Sequence, residues 1–234
     1  MNKDKFIEEL EKLNISITES QFNLLEQYYH LLIDWNNKIN LTAIVDKEAV
    51  YLKHFYDSLT VVKAVNLNGD ISLCDVGTGA GFPGIVLKIL FPNLKITLID
   101  SLNKRINFLN EVIQKLGLTN IKAIHARVEE YGISNREKYD LVIARAVAPL
   151  NILLEYCIPL TKVDGYFIAM KANVDKEIEV SSQALEKLES KIADVFSFTL
   201  PIEQSMRTII TIKKLAKTSK KFPRKYSEIK KRPL

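Results

Sequence analysis

Between Ser72 and Gly84 the chain reads S-L-C-D-V-G-T-G-A-G-F-P-G, an apolar run ending at Asp75 and then glycines at 77, 79, 81 and 84. A periodic apolar stretch follows. A strand that stops at an acid and turns through glycines into a helix constrains the fold more than any other feature of this sequence. Glycine adopts backbone conformations closed to other residues and lets the main chain approach a ligand closely. The helix that follows presents unpaired N–H groups and the positive end of its dipole. Such a turn is a cofactor cradle, and the chemistry is expected within its reach.

The loop fits two cofactor classes. Gly79, Gly81 and Gly84 satisfy G-x-G-x-x-G, the dinucleotide fingerprint. Asp75, Gly77, Gly79 and Gly81 satisfy D-x-G-x-G-x-G, the first motif of S-adenosylmethionine methyltransferases. The next strand, Leu94 to Ile99, ends at Asp100, about 20 residues beyond the loop, where an acid suits a ribose diol. Both cofactors carry that ribose. Asp100 or Ser101 could instead cap the helix that starts near Leu102.

The order of elements narrows the choice. Residues 1–66 read as a helical extension: Thr18 to Gln21 fits a capping box, and Phe22, Leu25, Tyr28, Tyr29, Leu32, Ile33 and Trp35 recur at helical spacing. Asn36 to Asn40 breaks that helix, and Asp46 caps another. Residues 67–214 alternate strands (71–75, 94–100, 121–125, 139–144, 164–170) with helices (83–91, 102–116, 150–159, 174–190), which means βαβ units and a mostly parallel sheet. Two strands, Ile192 to Leu200 and Arg207 to Ile212, follow without a helix between them. The fold class is therefore α/β, a Rossmann-like class I methyltransferase sheet with an antiparallel last strand and a helical N-terminal extension. The usual dinucleotide sheet has six parallel strands.

Charge separates a third part, the basic tail at 215–234. Residues 213–234 hold ten Lys or Arg and one acid, net +9; the whole chain is +5, which leaves residues 1–212 at −4. A basic tail on a mildly acidic body points to a polyanion. Phe222, Pro223, Tyr226 and Pro233 interleave with the cations, as in segments that stack on bases and neutralise phosphates. Removing residues 217–234 is expected to spare the cofactor site, because the last strand ends near Ile212. Cys74 and Cys157 lie in apolar segments, as buried thiols of a reducing, cytoplasmic compartment do. Three histidines and no cysteine pair leave no structural metal site. No apolar run reaches the length of a membrane span, and Lys3, Asp4, Glu8, Glu9 and Glu11 interrupt any leader-like pattern at the start.

At the fourth strand, Ile143-Ala144-Arg145-Ala146-Val147-Ala148-Pro149-Leu150 lies where a substrate-facing motif belongs. With the glycine loop, Ser101 to Leu109, Asn40 to Ile44, His54 with Asp57 to Leu59, His125 to Glu129, Ala169-Met170-Lys171 and Pro223 to Lys225, the chain resembles the glucose-inhibited division protein B family, bacterial small-subunit ribosomal RNA methyltransferases G. Ala172 stands where that family usually has glycine, and Ser227 and Ile229 replace a Gly and a Pro of its tail. The resemblance implies S-adenosyl-L-methionine as cofactor and methylation of one guanine N7 in 16S ribosomal RNA, met as free RNA, a 30S particle or an assembly intermediate, by a monomer with no membrane partner.

The resemblance also distributes roles. Gly77, Gly79 and Gly81 shape the pocket for the methionine part, Asp75 receives its ammonium and Phe82 packs on it. Asp100 and Ser101 take the ribose, and Val128 and Glu129 take the adenine. Arg145 faces both cofactor and substrate. Arg127, Lys171 and Arg207 are basic residues around the site, placed to clamp phosphates or guanine O6. Asn40, His54, Lys220, Lys221, Arg224 and Lys225 face the RNA. Guanine N7 carries a free lone pair and needs no deprotonation, so no general base is required. The sequence shows no Ser/His/Asp or Cys/His pairing.

Overall fold

The computed structural model describes residues 1–145, 147–172, 174 and 176–234. Ala146 of the fourth-strand motif and Asp175 of the helix expected over 174–190 lie outside the described residues.

Seven strands form one sheet: β1 (Ser72–Val76), β2 (Lys95–Asp100), β3 (Ile121–His125), β4 (Tyr139–Arg145), β5 (Thr161–Lys171), β6 (Ser190–Thr199) and β7 (Met206–Lys214), in the order β3-β2-β1-β4-β5-β7-β6. The first five pair in parallel, and β7 runs antiparallel between β5 and β6. The order reverses between β1 and β4, which opens a crevice at their carboxyl ends, where open α/β sheets bind ligands. Successive strand residues point to opposite faces, so two cores form. Leu73, Leu141, Ile143 and Ile209 belong to one, and Cys74, Val142, Ala144 and Ile210 to the other.

The N-terminal helices cover the first face. They are α1 (Lys3–Glu11), α2 (Glu19–Ile39), α3 (Lys47–Val50), a π-helix at Tyr51–Tyr56 and α4 (Asp57–Leu59). They share the first core with α5 (Gly84–Leu90) and α6 (Asn103–Lys115). The capping box at Thr18 forms, and Gln21 Nε2 also donates to the carbonyls of Ile89 and Leu90 at the end of α5. α2 runs through the Asn36 to Asn40 stretch as far as Ile39, and ends on Asn40 in the left-handed conformation (φ 48°), a role asparagine tolerates.

The second face holds α7 (Val128–Ser134), α8 (Leu150–Cys157), α9 (Ser182–Lys187) and α10 (Tyr226–Lys231). The sequence reading has no helix at α7. V-E-E-Y-G-I-S has too few apolar residues to show a helical period, and Gly132 lies inside it. The span 174–190 resolves into a 3₁₀ turn at Glu179–Ser181 and the short α9.

Candidate active site

Three anchors shape the glycine loop. Asp75 Oδ2 accepts from Thr78 Oγ1 (2.7 Å) and from the Gly84 N–H (2.8 Å). Asp100 Oδ2 accepts from the Gly79 N–H (3.0 Å). Tyr28 of α2 donates its hydroxyl to the Ala80 carbonyl. Gly79 has φ +59° with open space where a Cβ would stand, so it presents bare backbone to the crevice. Gly81 serves differently. A Cβ there would lie 2.6 Å from Ile85 and 2.8 Å from the Tyr28 hydroxyl, so this glycine lets α2 close on the loop.

Asp75 is fully buried beneath the loop and does not line the crevice. Burial pushes its carboxyl up to about 6. Its Oδ1 has no hydrogen-bond partner among the described residues. The placement is that of a loop anchor and sets Asp75 apart from the expected ammonium contact.

The crevice divides at Gly77, over which the Val147 side chain lies. On one side is a cleft of about 600 Å³. Among the described residues, five cations (Lys53, Arg105, Arg145, Lys171 and Arg207) and two carboxylates (Asp57 and Glu177) line it. Arg145 ends β4, Lys171 ends β5 and Arg207 is the second residue of β7. Because β7 is antiparallel, all three meet at the same edge of the sheet. Asp57 joins two of them: its Oδ2 takes Arg145 Nη1 at 2.8 Å and its Oδ1 takes Arg207 Nε at 2.9 Å. Lys171 Nζ lies 2.5 Å from Glu177 and donates to the Ala148 carbonyl.

His54 comes from the π-helix, a distortion that recurs at functional sites. It is buried, stacks on Phe82 with centroids 4.5 Å apart, and sits between Thr42 Oγ1 (2.9 Å from Nε2) and Arg145 Nη2 (3.3 Å from Nδ1). Arginine only donates, so Nδ1 accepts and the proton resides on Nε2. Burial and the Arg145 charge push its pKa down to about 3, so the ring is neutral. Both nitrogens are engaged, which makes His54 a positioning residue and a poor general base. Phe82 is buried, lines the cleft and holds Arg145 over its ring at 5.3 Å. Asn40 does not line the cleft.

On the other side of Gly77 lies a cleft of about 210 Å³, lined by Asp100, Ser101, Arg127, Val128, Glu129 and others. The helix-cap alternative for Asp100 does not form: the N-cap position of α6 is Leu102. The Asp100 carboxylate takes the Leu102 N–H (2.9 Å) and Arg105 (3.1 Å) besides Gly79. Glu129 is 5 % exposed, and its Oε1 accepts no hydrogen bond among the described residues. Arg127 Nη1 stands 3.6 Å from that oxygen, an ion pair without a hydrogen bond, which leaves room for a donor from the cleft. Arg127 stands here, with its guanidinium 4.3 Å from the Tyr226 ring, and so is not gathered with the other three basic residues.

Tyr226 and Lys230 line this smaller cleft too, which sequence reasoning missed. The tail is folded. Ile229 is completely buried, Arg224 forms a two-toothed ion pair with fully buried Glu155 (2.8 and 2.6 Å), and Arg136 donates to the carbonyls of Thr218 and Phe222. Arg224 is taken up by Glu155 and has no free fork for a phosphate. Truncation at 217 would remove a wall of the smaller cleft, so the tail is not separable from it. Lys220, Lys221 and Lys225 are exposed. Asp57 was also missed as a site residue. Its sequence signals are its place in the His54 to Leu59 motif of the family resemblance and its spacing three residues after His54, on one helical face.

A family model described as rRNA small subunit methyltransferase G matches residues 21–209. A ribosomal RNA small subunit methyltransferase G from Bacillus licheniformis is 50% identical, covering 100% of this chain and 99% of its own. One from Desulforamulus reducens is 49% identical, covering 95% and 94%. Among solved structures, a SAM-dependent methyltransferase from Aquifex aeolicus matches 71% of this chain and 93% of its own, with a TM-score of 0.52 at 20% identity. A mutant 16S rRNA (adenine(1408)-N(1))-methyltransferase from Catenulisporales acidiphilia gives 0.54 at 14%, covering 63% of this chain and 86% of its own. At those identities the likeness is one of fold.

Proposed function

The chain belongs to the rRNA small subunit methyltransferase G family, and on that premise we propose that it uses S-adenosylmethionine to methylate N7 of one guanine in small-subunit ribosomal RNA. The residues fit the cofactor. Gly79 leaves bare backbone where the methionine part would pass. Asp100, with four lone-pair sites and three donors, keeps capacity for a ribose hydroxyl. The Glu129 Oε1, which accepts no hydrogen bond among the described residues and lies 3.6 Å from Arg127 Nη1, suits the adenine amino group. The cofactor supplies an electrophilic methyl group.

The observation that carries the reading is a cation-lined cleft in which no described residue is left free to act as a base. His54 is neutral with both nitrogens engaged. Burial pushes the Cys74 and Cys157 thiols well up, and neither lines the cleft. Among the described residues the two carboxylates of the cleft are held by cations, Asp57 by Arg145 and Arg207 and Glu177 by Lys171, so neither is a free acceptor for a nucleophile that must lose a proton; guanine N7 has none to lose. Positive charge moves from sulfonium to purine and is not created, so what the residues contribute is position. Arg145 and Arg207 are held by Asp57 at the cleft wall, where an arginine can donate to guanine O6. A fork closing on both O6 and N7 would mask the nucleophile, so a donor on O6 alone is required.

Single-turnover transfer to small-subunit RNA tests the reading. With RNA and cofactor bound, the rate should be nearly flat from pH 6 to 9, and 7-deazaguanine at the target should abolish transfer while RNA still binds. A rate rising tenfold per pH unit would mean a deprotonated nucleophile. Methylation of the 7-deaza substrate would exclude N7.

A further inference from the structure

We propose that Phe196 and Phe198, with Lys63 above them, form a stacking platform for nucleobases flanking the target guanine. The proposal rests on the RNA-methylating reading above. The two phenylalanines are two residues apart on β6, the outermost strand, so they share one face of the sheet. Their ring centroids are 5.8 Å apart and their planes differ by 27°. Phe196 is 39 % exposed. The Lys63 ammonium lies 5.6 Å from one centroid and 5.4 Å from the other.

The platform continues into the cleft. Phe198 lines the cleft and pairs across the ladder with Arg207, so Arg207, Phe198 and Phe196 follow one another outward from the cleft. Natural edge strands usually carry charge or are covered; two flat apolar rings under a cation are the opposite arrangement. Their chemistry suits a base on each ring and a phosphate on the ammonium. The cation excess of the adjoining cleft points to the same polyanion. A guanine drawn into the cleft leaves its neighbours unstacked, which costs stacking energy. Aromatic faces beside the cleft return that stacking, as they do on other sheet surfaces that read single-stranded RNA.

The test uses the full chain and small-subunit RNA or 30S particles that lack the modification. Phe196→Leu keeps apolar bulk and removes the aromatic face; Phe196→Trp keeps the face. Phe196→Leu should weaken RNA binding about fivefold to a hundredfold. It should leave the salt slope and the affinity for S-adenosylhomocysteine unchanged. Phe196→Trp should bind as the wild type does. Equal RNA affinity in Phe196→Leu, with normal methylation by the wild type, would overturn the platform and leave the proposed function standing. Equal weakening in both variants would also overturn it, since mere packing would then explain the loss. A wild-type dimer dissolved by Phe196→Leu would assign the face to a second copy. A wild type that binds and methylates no RNA would remove the functional reading and the platform together.

Discussion

Asp57 and His54 show what one buried residue does for its neighbours. Asp57 is 5 % exposed and holds two arginines that start 88 and 150 residues away in sequence. With Asp57→Asn the two guanidiniums face each other across a neutral amide and their orientation loosens. Methyl transfer should fall about tenfold to a hundredfold, the scale of a misplaced catalytic geometry, while calorimetry shows cofactor affinity unchanged. Equal losses in both would mean the fold had shifted. His54 contributes through its neutrality. Its pKa drops from 6.5 to about 3 on folding, so its stabilisation is full above pH 6.5 and is lost as pH falls toward 3. Asp75 has the opposite sign: its pKa rises from 3.8 to about 6, so its contribution is full below 3.8 and is lost as pH rises through 6. Each group alone gives a slope of up to about 1.4 kcal/mol per pH unit in its window. Between about pH 4 and 6 the two slopes nearly cancel, so these two groups leave wild-type stability almost flat there, and in His54→Gln the Asp75 contribution alone should make stability rise on acidification from 6.5. Urea unfolding at pH 4.5, 5.5 and 6.5 measures it, and an unchanged profile would mean that this ring titrates normally.

At the scale of elements, the tail changes meaning once folded. Ser227 and Ile229, which replace a Gly and a Pro of the family pattern, lie in α10, and Ile229 is its buried anchor. Both are residues a helix accepts, where Gly and Pro would break it. Lys214 is also absorbed: it is fully buried, donates to the Ile158 and Thr161 carbonyls, and burial lowers its pKa to about 8. Two of the ten cations are thus structural. Arg224→Ala should cost about 3–5 kcal/mol in urea unfolding, because it strands the buried Glu155 charge. Deleting residues 217–234 should weaken S-adenosylhomocysteine binding, through loss of Tyr226 and Lys230 from the smaller cleft. Calorimetry giving full affinity for the truncated chain would restore the tail as a separable arm. Lys220→Gln with Lys221→Gln should leave stability alone and lower the log–log salt slope of RNA binding by about 1.5.

Across the whole molecule, the two ends of the chain each cover one face of the sheet and each contribute to one cleft. The N-terminal helices supply Lys53, His54 and Asp57 to the larger, and the tail supplies Tyr226 and Lys230 to the smaller. The first core runs without interruption from Phe6 and Leu10 through Tyr28 to Leu73 and Ile143. We expect residues 1–66 and the sheet to unfold together. Trp35, the single tryptophan, lies in α2 with its ring 5.7 Å from Phe108 of α6, and reports on that junction. Its fluorescence and the far-ultraviolet dichroism should trace one coincident urea transition. An earlier fluorescence transition would mark the extension as an independent unit.

The strand–acid–glycine–helix run, the order of elements after it and the acid ending β2 were legible in sequence, because period and turn chemistry act over a few residues. So was the family, through long motifs spread along the chain. The short polar α7 was not legible, since nothing in seven residues distinguishes it from a loop. Tertiary structure alone decided that Asp75 lies under its loop rather than in the crevice. It alone joined Arg145 and Arg207 through Asp57, and parted Arg127 from both. It alone turned Arg224 and Lys214 inward. Arg145, Arg207 and Arg224 pair with carboxylates 69 to 150 residues away, and the places of Asp75, Arg127 and Lys214 are set by the elements packed around them. All of this depends on which faces pack together, and local sequence carries no record of that.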